Sequence, residues 1–262
     1  MPTTPLIAYA NVGKTFDDGR VVAVDDVSLE VAEGEFLAIV GGSGSGKTTL
    51  LRLANRLIEA DSGSITVEGE DVHNVDPILL RRRIGYVFQS GGLFPHLSVA
   101  DNIGITPKLT GTPPAEISAR VDELLDLVRL DRPQYRNRLP HELSGGQRQR
   151  VSVARALAAK PRIVLMDEPF GALDPLTRDA LGDDFRELHR TLGLTTVMIT
   201  HDMTEAILLA DRIAVMGGGR LLAQGTPSEL SESDDAYVGE LMRTPRRQAE
   251  RLGALLPRDG AA

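Results

Sequence analysis

The chain has 262 residues and a formal net charge of −8, which rules out a peptide-sized explanation and argues against a sequence-independent nucleic-acid binder, since such proteins carry a basic surface. Its 42% hydrophobic and 25% charged content are those of an ordinary globular protein. With no cysteine, disulfide scaffolds, thiolate metal sites and cysteine nucleophiles are excluded. No basic stretch followed by an apolar one opens the chain, and no apolar run approaches the ~20 residues that span a bilayer, so neither a secretory signal nor a membrane span is expected. Residues 6–31 alternate around Asp17, Asp18 and Gly19, a pattern that predicts antiparallel strands joined by a turn. Residues 36–40 are a compact apolar strand entering a Gly/Ser loop at 41–46, and a helix is expected over 47–57. Strands are expected at 65–68 and 84–88, and Ile117, Val121, Leu124, Leu125 and Val128 have the spacing of a helix over 115–128. Another helix follows Gly145 to about Ala159, and strands return at 163–166, 196–199 and 213–215. Strand and helix alternation at both ends of a helical middle predicts an α/β fold with a helical insertion, and after Ser231 a short terminal helix with a loose end.

Three segments carry chemistry. Gly41, Gly42, Ser43, Gly44, Ser45, Gly46, Lys47 and Thr48 satisfy the phosphate-loop pattern G-x-x-x-x-G-K-[ST], with Thr49 following. The glycines let successive backbone N–H groups turn toward one anion, the helix start adds its positive end, Lys47 reaches the β and γ phosphates, and the Thr48 hydroxyl can ligate Mg²⁺. Residues 163–166 end in Asp167 and Glu168, two carboxylates at the C-terminal end of a buried strand, where open α/β sheets bind ligands. Asp167 can hold Mg²⁺ there, and Glu168 can orient or deprotonate water. Ser144, Gly145, Gly146 and Gln147 open a helix with a serine cap and exposed N–H groups, a second anion-seeking end 144 − 47 = 97 positions beyond Lys47.

The order of Gly41–Thr48, Gln89, Leu143–Gln147, Asp167 and Glu168, Ala172-Leu173-Asp174 and His201 resembles that of the nucleotide-binding subunits of ATP-binding-cassette transporters over roughly residues 6 to 230. The resemblance implies a P-loop NTPase core with an N-terminal antiparallel β subdomain and an inserted helical subdomain. It divides the chain into an ATPase domain over 1–230, with core at about 1–90 and 156–230 and helical insertion at about 91–155, and a short C-terminal tail over 231–262. It implies that two copies pair head to tail, so that each ATP lies between the phosphate loop of one and the Ser-Gly-Gly helix of the other. Phe16 would stack on adenine where the family more often has Tyr, although a phenylalanine on a strand is equally a core residue. Gln89 would reach Mg²⁺ and the attacking water, His201 would contact the γ-phosphate, and Asp174 would lie at the dimer seam. Gly42 departs from the Pro or Ser usual at its position and is expected only to loosen the loop. Gly91, Gly92, Leu93, Phe94, Pro95, His96 and Leu97 either fold onto the helical insertion or form a flexible apolar groove for a helix of a membrane subunit.

The resemblance thus implies an ATPase that powers a separate transmembrane permease from the cytoplasmic side of the membrane as a peripheral, homodimeric subunit, in indirect partnership with an extracytoplasmic solute-binding protein. Import is expected because the subunit is not fused to membrane spans. Residues 88–96 and 202–206 look most like the osmoprotectant group, which carries glycine betaine, choline, carnitine or proline; an amino-acid importer or a split lipid or drug exporter is the alternative. Longer relatives in that group carry C-terminal regulatory modules, for which residues 231–262 are too few. A chromosome or repair ATPase would need a long coiled coil within the 97 positions, which Pro107, Pro113, Pro114, Pro133 and Pro140 disfavour. A ribosome-associated cassette protein would carry two cassettes, and a non-hydrolysing subunit would not need both Glu168 and His201.

Overall fold

A computed structural model describes residues 5–89 and 91–255. In chain order its strands are β1 (Ile7–Phe16), β2 (Val21–Val31), β3 (Phe36–Gly41), β4 (Ser62–Val67), β5 (Glu70–Asp71), β6 (Ile84–Val87), β7 (Ile163–Asp167), β8 (Thr195–Ile199), β9 (Arg212–Gly217) and β10 (Arg220–Gly225). Its helices are α1 (Lys47–Ala54), α2 (Pro77–Arg83), α3 (Val99–Leu109), α4 (Pro114–Leu127), α5 (Arg132–Tyr135), α6 (Gly145–Leu157), α7 (Pro175–Leu192), α8 (Met203–Leu209), α9 (Pro227–Ser231) and α10 (Ala236–Leu255).

The strands form two sheets. An antiparallel sheet has the order β2-β1-β4-β5, and a six-stranded sheet has the order β10-β9-β3-β8-β7-β6, parallel except for β10. Every residue of β7 and β8 is buried, and β3 is buried except at Gly41, as expected of parallel strands covered on both faces. Along β3 the side chains alternate: Phe36, Ala38 and Val40 join the core shared with the helices, while Leu37 and Ile39 join the core shared with the antiparallel sheet and α1. This double burial fixes the ends of β3, β7 and β8, and those ends carry Gly41, Asp167 and the approach to His201.

Three expectations change. The helix after the Gly/Ser loop stops at Ala54 rather than reaching 57, because the Asn55 side chain accepts from Leu57 N at 3.1 Å and Arg56 turns to φ 52°. The terminal helix expected beyond Ser231 is present but longer than expected, the 20-residue α10, and its first turns are packed through Val238 and Met242, four positions apart on one face and buried in the main core, while residues 246–255 are exposed. The expected loose end falls on 256–262, outside the described residues. The segment 91–97 is tied down rather than flexible. Asn102, fully buried in α3, accepts from Phe94 N at 2.8 Å and donates to the carbonyls of Phe94 and Leu97 at 3.1 and 3.0 Å. Arg155 in α6 donates to the carbonyls of Gly91 and Gly92 at 2.9 and 2.7 Å. Leu93 packs on the helical core while Phe94 stays 42% exposed, so the segment both folds inward and presents an apolar side chain outward.

Candidate functional site

The phosphate loop joins β3 to α1. Gly46 has φ 96°, and a side chain there would place its Cβ 2.0 Å from the Ala23 carbonyl, so only glycine lets the loop lie against β2. Lys47 Nζ, buried within the loop, donates to the carbonyls of Gly41 and Gly42 at 2.9 and 2.8 Å. Burial lowers the pKa of this lysine, against the opposing pull of the Glu168 and Asp167 carboxylates. The loop floors an open cleft of about 590 Å³ lined by Phe16, Val21, Val22 and Ala23, by residues 43–49, and by Glu168 and His201. Phe16 is 38% exposed on the cleft wall, which removes the core alternative for it. Val21, its register partner on β2, is exposed beside it, so an apolar wall faces a cradle of backbone N–H groups. The end of β1 is anchored by Asp61, which accepts from Lys14 Nζ at 2.6 Å and from Thr15 N at 2.7 Å. The Lys14 hydrogen bond leads in holding the Asp61 carboxyl down at about 2.

The two carboxylates after β7 have different partners. Asp167 Oδ1 accepts from Thr48 Oγ1 at 3.1 Å, while Oδ2 faces the Arg52 guanidinium at 3.3 Å and the Tyr86 hydroxyl at 3.4 Å. Burial, reinforced by the Asp167 charge, pushes the Tyr86 phenol up to about 12. Glu168 leaves the strand with φ 46°, its N–H bonded to the Ile199 carbonyl at 3.0 Å. That turn aims the Glu168 carboxylate into the cleft, where Oε2 accepts from Gln89 Nε2 at 2.8 Å and lies 3.4 Å from His201 Nδ1. The residues fit Mg²⁺: Thr48 and Asp167 offer hydroxyl and carboxylate oxygens side by side, and no cluster of three or more His, Cys, Asp or Glu occurs among the described residues, so further ligands would come from phosphate and water.

At the start of α6 the expected serine cap is present, while only one of the two glycines is exposed. Ser144 and Gln147 form a reciprocal capping box at the start of α6, with Gln147 N donating to Ser144 Oγ at 3.3 Å and Ser144 N donating to Gln147 Oε1 at 2.9 Å. Gly145 is exposed, whereas Gly146 packs against Thr177 of α7. Asp174 caps α7 by accepting from Thr177 N at 3.0 Å, and its hydrogen bonds to Thr177 lower its pKa. None of Ser144, Gly145, Gly146, Gln147 and Asp174 lines the cleft that holds Lys47 and Glu168. One chain therefore brings together Phe16, the loop, Gln89, Asp167, Glu168 and His201, and leaves the second anion site apart.

Two features of the site have no counterpart in the sequence patterns. Gly42, expected to loosen the loop, donates its N–H to the Tyr237 hydroxyl of α10 at 3.0 Å. Arg155 is buried with its charge spent on two carbonyls; a lone arginine in the apolar stretch 151–157 was the signal that could have found it.

Residues 24–171 match the family described as ABC transporter. The choline transport ATP-binding protein OpuBA of Bacillus subtilis is 48% identical over 242 residues, an alignment spanning 92% of this chain and 63% of that protein. The glycine betaine uptake system ATP-binding protein YehX of Escherichia coli is 50% identical over 222 residues, 85% of this chain and 71% of its own length. A solved dimeric structure of a post-hydrolysis state of the ATP-binding cassette MJ0796, bound to ADP and Pi, superposes with a TM-score of 0.75 at 32% identity, covering 84% of this chain and 98% of that one. The present chain thus spans less than two thirds of the length of its choline-transport relative.

Proposed function

Since the chain belongs to the ABC transporter family of ATP-binding proteins, we propose that it hydrolyses ATP between two copies of itself to drive a membrane permease that imports a small osmoprotectant. The observation that carries this reading is the convergence on one cleft of a phosphate cradle, an exposed aromatic wall and a carboxylate bracketed by Gln89 and His201. Residues 43–49 bind the phosphates through their N–H groups and the start of α1, and Phe16 takes the adenine face. Lys47 exchanges the carbonyls of Gly41 and Gly42 for phosphate oxygens. Thr48 and Asp167, with Gln89, hold Mg²⁺, which when bound supplies charge neutralisation at the phosphates. Glu168 orients the attacking water and takes its proton, while Gln89 and His201 turn from the carboxylate toward water and γ-phosphate. Ser144, Gly145, Gly146 and Gln147 of a second copy close the cleft, with Asp174 at the seam.

The permease docks on the groove of about 380 Å³ bordered by Tyr86, Phe88, Phe94, Ile105 and Leu109 and by Arg81, Arg82 and Arg155, with Phe88 preceding Gln89 in the chain. No described helix is long and apolar enough to cross a membrane; the peripheral, cytoplasmic-side position follows from the proposed role as the ATP-hydrolysing partner of a permease. An extracytoplasmic solute-binding protein would meet the permease and not this chain. The osmoprotectant assignment follows the choline and glycine betaine relatives. The test is a titration of purified protein with Mg·ATP beside its Lys47→Ala variant, followed by choline and glycine betaine uptake in cells carrying the subunit with its permease. Binding and turnover are expected to fall together in the variant. Unchanged ATP binding in Lys47→Ala would remove the site reading, and ATP-dependent uptake of neither solute would remove the cargo.

A further inference from the structure

The phosphate loop is held from outside itself. Gly42 donates its N–H to the Tyr237 hydroxyl at 3.0 Å, a contact that stays when Lys47 Nζ, now 2.8 Å from the Gly42 carbonyl, moves to phosphate. The backbone of Tyr237 is held, while the residue is 40% exposed. Asp235 caps the start of α10 by accepting from the backbone N–H groups of Tyr237 and Val238 at 2.9 and 3.0 Å, and Val238 and Met242, on the neighbouring face, anchor the helix in the main core. The contact depends on a donor at position 42, which a proline there would lack. Gly42 and Tyr237 therefore work as a pair.

We propose that Tyr237 is a positioning residue for the nucleotide site, bracing the phosphate loop in the shape that receives phosphate and linking the affinity of that loop to the docking of α10. The inference rests on the reading of the loop as the Mg·ATP site. A loop with glycines at φ 148°, 75° and 96° at positions 41, 44 and 46 has much conformational freedom to lose on binding, and a tether that fixes it beforehand raises affinity by removing that cost. A hydrogen bond between neutral groups is worth a factor of about two to ten in an equilibrium. Tyr237 reaches only the outer N–H of Gly42 and does not line the cleft, so its effect falls on binding and not on the chemical step.

The test uses the full chain and Tyr237→Phe, which deletes one hydroxyl and keeps the ring. Both the Kd and the KM for Mg·ATP are expected to rise about two- to tenfold with kcat at saturation unchanged. On a Gly42→Pro background, where the donor is gone, Tyr237→Phe should add nothing, and on Gly42→Ala, which keeps the donor, it should keep its full effect; if the proline variant fails to fold, the rise in Kd and KM of Tyr237→Phe in the wild-type background still decides. An unchanged Kd and KM in Tyr237→Phe, with Lys47→Ala losing binding as expected, overturns the brace and leaves the site reading standing. A fall in kcat at unchanged KM overturns it by placing Tyr237 in the chemistry. If the wild-type chain does not bind Mg·ATP, both readings fall.

Discussion

Replacing Glu168 by glutamine removes a proton acceptor and little else. The two side chains have the same length, and the amide oxygen of a glutamine can keep the Gln89 Nε2 donor that now lies 2.8 Å from Glu168 Oε2. The left-handed backbone at φ 46° costs of order 1–2 kcal/mol for a residue with a side chain, and glutamine bears the same cost, so strain neither rises nor falls. The lost function is the carboxylate's capacity to accept the proton of water in the cleft. A positioned general base contributes about 10² to 10⁴ in rate, equivalent to about 3 to 5 kcal/mol of barrier. Phosphate release at saturating Mg·ATP should fall at least about 100-fold, while the Kd for Mg·ATP stays within about twofold. Because ATP then persists, the variant should move from monomer to dimer on a sizing column as Ser144 of each copy closes on the cleft of the other. Near-normal turnover would refute the role of Glu168 as the base. A monomer at saturating ATP would refute the composite site.

Phe94 is 42% exposed at the edge of the proposed docking groove while Asn102 holds its backbone, so Phe94→Asp should leave ATP affinity intact and abolish co-purification with the permease. A variant that still co-purifies and supports uptake would put the docking site elsewhere. Gly146→Ala would set a Cβ 2.5 Å from Thr177 Cγ2, an overpacking worth about 1–3 kcal/mol that exceeds the ~1 kcal/mol alanine gains in a helix. Thermal unfolding should show Gly146→Ala destabilising in the wild-type background and stabilising on Thr177→Ser, which lacks that methyl; equal destabilisation in both would refute the packing account.

What could be read in the sequence was local. The phosphate loop, the Asp167–Glu168 pair and the Ser144 cap are each recognisable from a few adjacent residues. The contacts that adjust them are not local. Gln89 meets Glu168 across 79 positions and Tyr237 meets Gly42 across 195, distances over which neither periodicity nor turn chemistry carries information. Gly42 shows the cost of reading one position alone: a glycine that should loosen a loop is instead a donor to a side chain on the last helix. The segment 91–97 misled for the same reason, because its glycines signal freedom and the fully buried Asn102 that removes it lies on the following helix. Pro107, inside α3 near its end, obscured that helix in the sequence and is accommodated in its last turn.

The grip of Arg155 on Gly91 and Gly92 ties the far turn of α6 to the segment after Gln89. Ser144 caps one end of the helix and Arg155 lies eleven residues on, about 16 Å away at 1.5 Å per residue. A swivel of about 5° at the arginine end carries Ser144 through about 1.4 Å, enough to take a hydrogen bond of ordinary length out of range. Were the helix to pivot in this way, a displacement small enough to leave Gly91 in place would be felt at Ser144 as the making or breaking of a contact, although the packing of Gly146 on Thr177 and the buried residues along α6 oppose such a pivot.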